Sequence, residues 1–277
     1  MGSVTRSLDD VDPSIPAARQ PRQAPFRLFR PRVQPGRRRR DRSAELDNSE
    51  HLTLPGDEIP RATDYEESVA SRKLMSASRG SQVGFVPDPF RRVEVRFESR
   101  NEREQLQCLI SSPFVKAVRE QQKIRYVDAN GGGRHYTFDV VVDWTSGITS
   151  ACETKYAADA LRKDTRGRLE GIFEGRQTRV ADDWRLLHEN HFDEVTLENA
   201  REINYVACGD DAVGIAALRA DLPPHGTVIS MRDLSERAGL GRRGYRAAIV
   251  LIQSGTVRLE PGVRIDPETL VTIHTDG

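Results

Sequence analysis

The chain has few cysteines, few lysines and no long hydrophobic run. Its three cysteines have no zinc-ligand spacing, which argues against a disulfide scaffold or zinc domain and favours a reducing cytoplasm. No apolar run reaches the ~18 residues that a membrane span needs, and residues 1–12 are polar and acidic, unlike a signal peptide. With 277 residues the chain has room for about two domains. We therefore expect a multidomain cytoplasmic protein without a membrane partner.

Charge is balanced over the whole chain but not along it. Lys and Arg total 42, as do Asp and Glu, yet residues 19–42 hold ten arginines and a single acid. Residues 1–88 are rich in Pro, Ser and Arg and lack sustained apolar periodicity, so we predict a disordered tail. The basic run could bind phosphates non-specifically, or the tail could be solvated and without function.

Two short predicted strands carry the candidate chemistry. Residues 136–142 are aromatic and β-branched, residues 144–147 suit a turn, and residues 148–155 return, which favours a hairpin. The hairpin sets Asp139 near Glu153, and strand alternation places Glu153 and Lys155 on one face. Two carboxylates suit Mg²⁺ or Mn²⁺, which activates water, while an ammonium can orient that water. This pattern resembles that of the PD-(D/E)xK nucleases. An edge strand with an ordinary ion pair is the alternative.

Lysine is scarce in this chain, which gives Lys155 added weight. Only five of the 42 basic residues are lysines, so a lysine inside an apolar strand does not reflect a lysine-rich background. Asp143 shares the face of Asp139, but it lies roughly 13 Å further along at about 3.3 Å per residue. We therefore expect Asp143 to miss the metal.

An upstream helix offers a third acid. Ser99-x-x-Glu102 has the form of a capping box and precedes apolar residues at 106, 109 and 110, which predicts a helix from about Ser99. A strand at residues 120–126 and a glycine-rich turn at 131–133 lead into the hairpin. Glu102 could face the metal or only close the capping box, and Glu98 and Glu104 are rival acids on the same turn.

The segment ESRNEREQLQCLISSPFVKAVREQQKIRYVDANGGGRHYTFDVVV, followed by CETK, resembles the catalytic domain of TnsA-type transposon endonucleases. The family pattern is Ser-x-x-Glu, a Gln-Pro before a strand, Tyr-x-Pro-Asp, and an acid-x-Lys. The resemblance spans roughly residues 93–207. It implies that the metal ligands are Glu102, Asp139 and Glu153, and that Lys155 completes the catalytic set.

The family's glutamine falls on Gln121, which could contact DNA or order the site. Two positions depart from the family pattern, because Gln122 and Phe138 stand where the family has proline. Neither position supplies a ligand, so the departures indicate a remote relationship rather than a different chemistry.

Basic residues follow the acid-x-Lys strand and could hold the DNA backbone, although a solvated helix face is the alternative. The group comprises Arg162, Lys163, Arg166, Arg168, Arg176 and Arg179. Lys163 and Arg166 are taken as DNA contacts.

Residues 208–277 are predicted to form a winged helix. Three arginines, Arg242, Arg243 and Arg246, lie early on the third helix, where a recognition helix meets DNA. Winged helices also dock proteins, so both uses stay open. The predicted elements are helices at 211–222, 231–238 and 242–254, a strand at 227–230, and a wing hairpin formed by 255–259 and 263–265.

The sequence thus predicts an α/β fold in which a restriction-endonuclease-like core, a mixed sheet flanked by helices, spans residues 89–207 and precedes the winged helix. The expected activity is Mg²⁺- or Mn²⁺-dependent cleavage of double-stranded DNA. The resemblance implies a subunit of a heteromeric transposase in a prokaryotic cytoplasm or nucleoid, with a transposase subunit and an ATPase regulator as partners. The alternatives are a stand-alone phage or restriction-type nuclease, and a non-catalytic DNA-binding regulator.

Overall fold

The computed structural model describes residues 82–209 and 211–275, together with Tyr65, Glu66 and Ser68. It is an α/β fold in which helices flank a mixed four-stranded sheet. Among these described residues, no helix is long and apolar enough to cross a membrane. The strands are β1 (Gly84–Asp88), β2 (Val93–Phe97), β3 (Val115–Val127), β4 (Gly133–Trp144), β5 (Thr149–Thr154), β6 (Asp183–Leu187), β7 (Val228–Ser230), β8 (Val257–Arg258) and β9 (Leu270–Ile273). The helices are α1 (Arg100–Ser111), α2 (Ala157–Arg162), α3 (Thr165–Glu174), α4 (Glu194–Ala207), α5 (Ala212–Ala220), α6 (Met231–Arg237) and α7 (Arg242–Gln253).

The first hairpin corrects the boundary predicted at residue 88. Strand β1 lies inside the range assigned to the tail, yet it pairs antiparallel with β2, with Gly84 opposite Phe97. Val86 is buried in the same cluster as Val95, so this hairpin belongs to the folded core. The folded region therefore begins before residue 89. The arginine-rich run at 19–42 and most of the predicted tail lie outside the described residues.

Helix α1 begins where the capping box predicts. Ser99 has extended backbone, and its hydroxyl accepts a hydrogen bond from the Glu102 backbone N–H at 3.1 Å. The predicted apolar positions Leu106, Leu109 and Ile110 are all buried against the strands. The local cap and the apolar spacing together determine where the helix starts and which face it buries.

The central sheet has the order β3-β4-β5-β6. Its first three strands are antiparallel, which confirms the predicted hairpin, and β6 joins β5 in parallel. Two core clusters use the sheet. One contains Val140, Val142 and Cys152 with α1, and the other contains Val141 and Ala151 with α3.

Helix α4 connects this core to the C-terminal elements. Asn204 Nδ2 donates to the Gln107 carbonyl of α1 at 3.0 Å, and Arg201 pairs with Glu104 at 3.1 Å. Ile203, on the same helix, is buried in the cluster formed with α5, α6 and α7. One helix therefore packs on both units, although the sequence assigns it only to the first.

The C-terminal elements follow the order α5, β7, α6, α7, β8, β9, and the three predicted helices are present. The predicted wing pairing is wrong. Strand β8 pairs with β9, Val257 lying opposite Ile273, rather than with residues 263–265. The Asn199 side chain of α4 instead accepts the Ile265 N–H at 2.9 Å and donates to the Val263 carbonyl at 2.8 Å. These tertiary hydrogen bonds to α4 thus take the place of the hydrogen bonds of the predicted hairpin. Ile265 is buried.

Candidate active site

Three of the predicted site residues meet where β4 and β5 run side by side. Val140 pairs with Cys152, and the same register places Asp139 opposite Glu153. The Lys155 Nζ lies 2.8 Å from Glu153 Oε1 and 3.6 Å from Asp139 Oδ2. Asp139 Oδ2 also accepts the Thr154 N–H at 2.8 Å, which fixes the carboxylate against β5. Strand alternation therefore produces the convergence of Asp139, Glu153 and Lys155 that the sequence predicts.

The two carboxylates lie in a poorly solvated environment. The Asp139 side chain is 16 % exposed and that of Glu153 is 5 % exposed. The pKa of Asp139 is raised to about 7, first by burial and then by the charges of Glu153 and Glu102, against the opposing effect of Lys155. Burial lowers the pKa of Lys155, but the neighbouring carboxylates raise that pKa by more, so the net shift is upward. The raised pKa of Asp139 shows that the charge of Lys155 does not fully offset the burial of this carboxylate and its repulsion by the neighbouring acids.

An unsatisfied oxygen indicates how a metal ion fits this pair. Glu153 Oε2 is buried and no donor makes a complete hydrogen bond to it, although the nearby Tyr136 hydroxyl interacts with this carboxylate and the pKa of Tyr136 is raised by burial and by Glu153. A buried carboxylate oxygen without a donor is costly, and hard oxygen ligands of this kind suit Mg²⁺ or Mn²⁺. In the described part of the chain, no group of three or more His, Cys, Asp or Glu side chains is arranged to hold a metal ion. The groups that could hold a metal ion at this site are therefore the two carboxylates of Asp139 and Glu153.

Glu102 contacts the start of its own helix in this structure. Its Oε2 accepts the Glu98 N–H at 2.8 Å, and its Oε1 accepts the Ser99 hydroxyl at 2.9 Å. Both carboxylate oxygens of Glu102 are thus engaged at the start of α1, and its role as a metal ligand stays a prediction. Glu102 still lines a small cavity with Asp139. The rival acid Glu104 pairs with Arg201 of α4.

Gln105 also reaches this cavity and is not among the predicted site residues. It lies three residues after Glu102 on the same helix and is 3 % exposed. Its Nε2 donates to the His188 carbonyl at 2.9 Å, while its Oε1 is buried without a partner. The cavity measures about 10 Å³, room for about one water. A polar residue three positions after a candidate acid shares its helix face, and this spacing is the sequence signal that could have found Gln105.

Gln121 lies on β3 beside the candidate site. It is 3 % exposed and has a positive φ of 52°, a conformation that residues other than glycine rarely adopt. Its neighbours pair as Glu120 with Val140 and Gln122 with Phe138, which sets Gln121 opposite Asp139. Backbone strain of this kind is found at functional sites. Its burial favours the ordering role over a direct DNA contact.

One arginine of the basic group contacts a site carboxylate. Arg168 Nη2 lies 3.5 Å from Glu153 Oε1 and donates to the Tyr136 hydroxyl at 3.3 Å. The predicted DNA contacts Lys163 and Arg166 are exposed, Lys163 at the end of α2 and Arg166 in the first turn of α3. Sequence reasoning grouped Arg168 with its neighbours because nothing local distinguishes it from them.

The three C-terminal arginines lie on the first two turns of α7, as predicted, and line a groove of about 910 Å³. Arg243 is engaged in a two-pronged contact, its Nε 2.8 Å from Asp211 Oδ2 and its Nη2 2.6 Å from Asp211 Oδ1. Arg242 and Arg246 are exposed, and the groove also includes Arg232. The groove is therefore accessible and lined by four arginines, but Asp211 and Glu236 partly neutralise it, and Arg232 is paired with Glu268.

No protein-family model matches the chain, and no curated protein matches it.

Proposed function

We propose that this protein is a metal-dependent DNA endonuclease. The main support is that the Lys155 ammonium contacts the poorly solvated carboxylates of Asp139 and Glu153. One oxygen of Glu153 accepts no complete hydrogen bond. Asp139 and Glu153 would hold Mg²⁺ or Mn²⁺, which supplies an activated water and offsets charge on the phosphate when bound. Lys155 would orient the attacking water or stabilise the pentacovalent phosphate. The products would be a 5′-phosphate and a 3′-hydroxyl.

The order of elements supports this proposal. Helix α1 is followed by the antiparallel strands β3, β4 and β5, then by helices and the parallel strand β6. This is the order expected of a restriction-endonuclease-like core, and the acid-x-Lys motif lies at the end of β5. The succession from α5 to β9 is likewise the order expected of a winged helix. The basic α7 would then face nucleic acid or a partner protein.

The resemblance to TnsA-type enzymes supports a more specific role. The protein would cleave one strand at each transposon end, while a separate RNase H-like transposase subunit cuts the other and an ATPase regulates both. A neighbouring transposase gene and ATPase gene would support that role, whereas an adjacent methyltransferase gene would favour a restriction-type nuclease.

Cleavage of plasmid DNA in Mg²⁺ or Mn²⁺ tests the proposed activity. Asp139→Ala should abolish cleavage and leave the fold and most DNA binding in place, because it removes a ligand rather than core packing. Asp143→Ala is the matched control, since Asp143 lies on the same strand but pairs with Arg119 at 2.7 Å. Cleavage that persists in EDTA, or in Asp139→Ala, would show that another site is responsible.

DNA binding without cleavage is a second candidate function. The basic groove on α7 favours it because Arg232, Arg242 and Arg246 line one accessible surface. Under this alternative, replacing Arg242 and Arg246 should remove sequence-dependent binding, and no metal should induce nicking. Asp139→Ala would then leave every measured activity unchanged.

A further inference from the structure

Arg168 contacts the candidate site but has no role in the chemistry proposed above. Its guanidinium shares Glu153 Oε1 with Lys155, so two cations compensate one buried carboxylate. The two cations differ in exposure, because the Arg168 side chain is 50 % exposed whereas that of Lys155 is 30 % exposed. Lys155 is also tied to the Thr154 carbonyl at 2.9 Å. Arg168 is therefore the cation that can leave Glu153 without opening the core.

The base of the Arg168 side chain is fixed, although its end is exposed. Its neighbour Leu169 is fully buried, and Ile172 of the same helix is 3 % exposed in the cluster under the sheet. Helix α3 is thus held in place, and the Arg168 Cα with it. Tyr136 contacts the guanidinium from the side. Its hydroxyl lies 3.3 Å from Arg168 Nη2, and its ring centroid lies 5.5 Å from Arg168 Cζ. The cation–π contact with the ring would still stabilise the Arg168 side chain beside the site after its contact with Glu153 is broken.

We propose that Arg168 is a phosphate-binding residue that rests on Glu153 when the site holds neither metal nor nucleic acid, and that turns to a backbone phosphate when both are present. This inference rests on the proposed function, because it takes Glu153 as a metal ligand. Arg168 and a divalent cation compete for the charge of Glu153. The planar guanidinium fork then matches two non-bridging phosphate oxygens, which an ammonium cannot do.

The competition predicts opposite effects of Arg168→Ala on two ligands. Mn²⁺ affinity without DNA, measured by calorimetry, should rise about three- to tenfold because a repelling unit charge is removed from the site. The affinity for a short DNA duplex in Ca²⁺, measured by fluorescence anisotropy, should fall about five- to tenfold. The magnitude of its salt-dependence slope should decrease by about 1, as expected for one lost phosphate contact.

Two further variants separate position from charge. Arg166→Ala removes the same charge from an exposed residue of the same helix, and it should leave Mn²⁺ affinity within about twofold because the distance screens it. Arg168→Lys should restore Mn²⁺ affinity towards the wild-type value, because charge alone sets that affinity. The same variant should recover DNA affinity only partly, because the fork is lost.

The outcomes distinguish this inference from the proposed function. Unchanged or weaker Mn²⁺ binding by Arg168→Ala, or unchanged DNA binding, overturns the role of Arg168 even if the wild-type protein cleaves DNA. Opposite shifts in a protein that never cleaves DNA support Arg168 and refute the nuclease. A wild-type protein that binds no Mn²⁺ overturns both.

Discussion

Replacing Asp139 with Asn should stabilise the metal-free protein at pH 8. The pKa of Asp139 is raised from 3.8 to about 7, first by burial and then by the charge of Glu153. An acid whose folded pKa is raised binds more protons in the folded state than in the unfolded state. Its contribution to stability is therefore full below pH ~4 and is lost as the pH rises through about 7. Asn avoids that loss because it carries no charge.

The size of the effect follows from the same shift. A difference of about 3 pKa units corresponds to about 4 kcal/mol at ~1.4 kcal/mol per unit, which is an upper limit. Side-chain relaxation and water entry reduce it, so we expect a gain of about 1–2 kcal/mol in the free energy of unfolding. Asn has nearly the same volume and can still accept the Thr154 N–H that Asp139 Oδ2 accepts. No packing loss should offset the gain.

Urea unfolding in EDTA at pH 5 and pH 8 measures this effect. Asp139→Asn should gain stability relative to wild type at pH 8, and the difference should shrink at pH 5. Asp143→Asn is the control, because Asp143 accepts from Arg119 at 2.7 Å and from the Thr149 hydroxyl at 2.9 Å, so losing its charge should not stabilise. Equal or lower stability of Asp139→Asn at pH 8 would refute the electrostatic reasoning.

Saturating Mg²⁺ should reverse the order of stability. A ligand that binds the folded state stabilises it in proportion to the logarithm of its concentration over Kd, about 2.7 kcal/mol at 100 times Kd. The wild-type protein has both carboxylates for the ion, whereas Asp139→Asn lacks one. An unfolding midpoint that rises with Mg²⁺ in wild type and stays constant in the variant is the expected result.

Three further predictions concern Lys155, Glu102 and Asn199. Lys155→Ala should lower the single-turnover cleavage rate by orders of magnitude with little change in DNA affinity. Lys155→Arg should stay severely impaired, because a guanidinium is bulkier and does not exchange a proton near neutral pH. Near-normal cleavage by the Arg variant would reduce Lys155 to a generic phosphate contact. Glu102→Ala should lower the unfolding free energy by about 1 kcal/mol because it opens the capping box, which thermal unfolding measures; an unchanged melting temperature would show that the contacts with Glu98 N and Ser99 contribute nothing. Asn199→Ala should cost about 2 kcal/mol by releasing the Val263 carbonyl and the Ile265 N–H, and it should make residues 259–269 sensitive to limited proteolysis; a variant as protease-resistant as wild type would contradict the role given to Asn199.

Much of the candidate site follows from local sequence. The start of α1 at Ser99 is set within one helical turn by the capping box. The approach of Asp139 to Glu153 follows from a short turn between two strands whose alternation fixes the register. The C-terminal helices are likewise marked by local caps and apolar spacing. In each case the interacting groups are close in sequence, so pattern and geometry coincide.

Other features were decided only by tertiary structure. Arg168 reaches Glu153 because α3 packs under the sheet, and no local pattern separates it from Arg166. The wing prediction failed because Asn199, 64 positions before Val263, satisfies the backbone that a hairpin would have paired. The pKa of Asp139 depends on burial and on charges from two other elements. Sequence patterns specify which groups can pair locally, whereas the competition among distant partners for the same buried charge or backbone group is settled only when the chain packs.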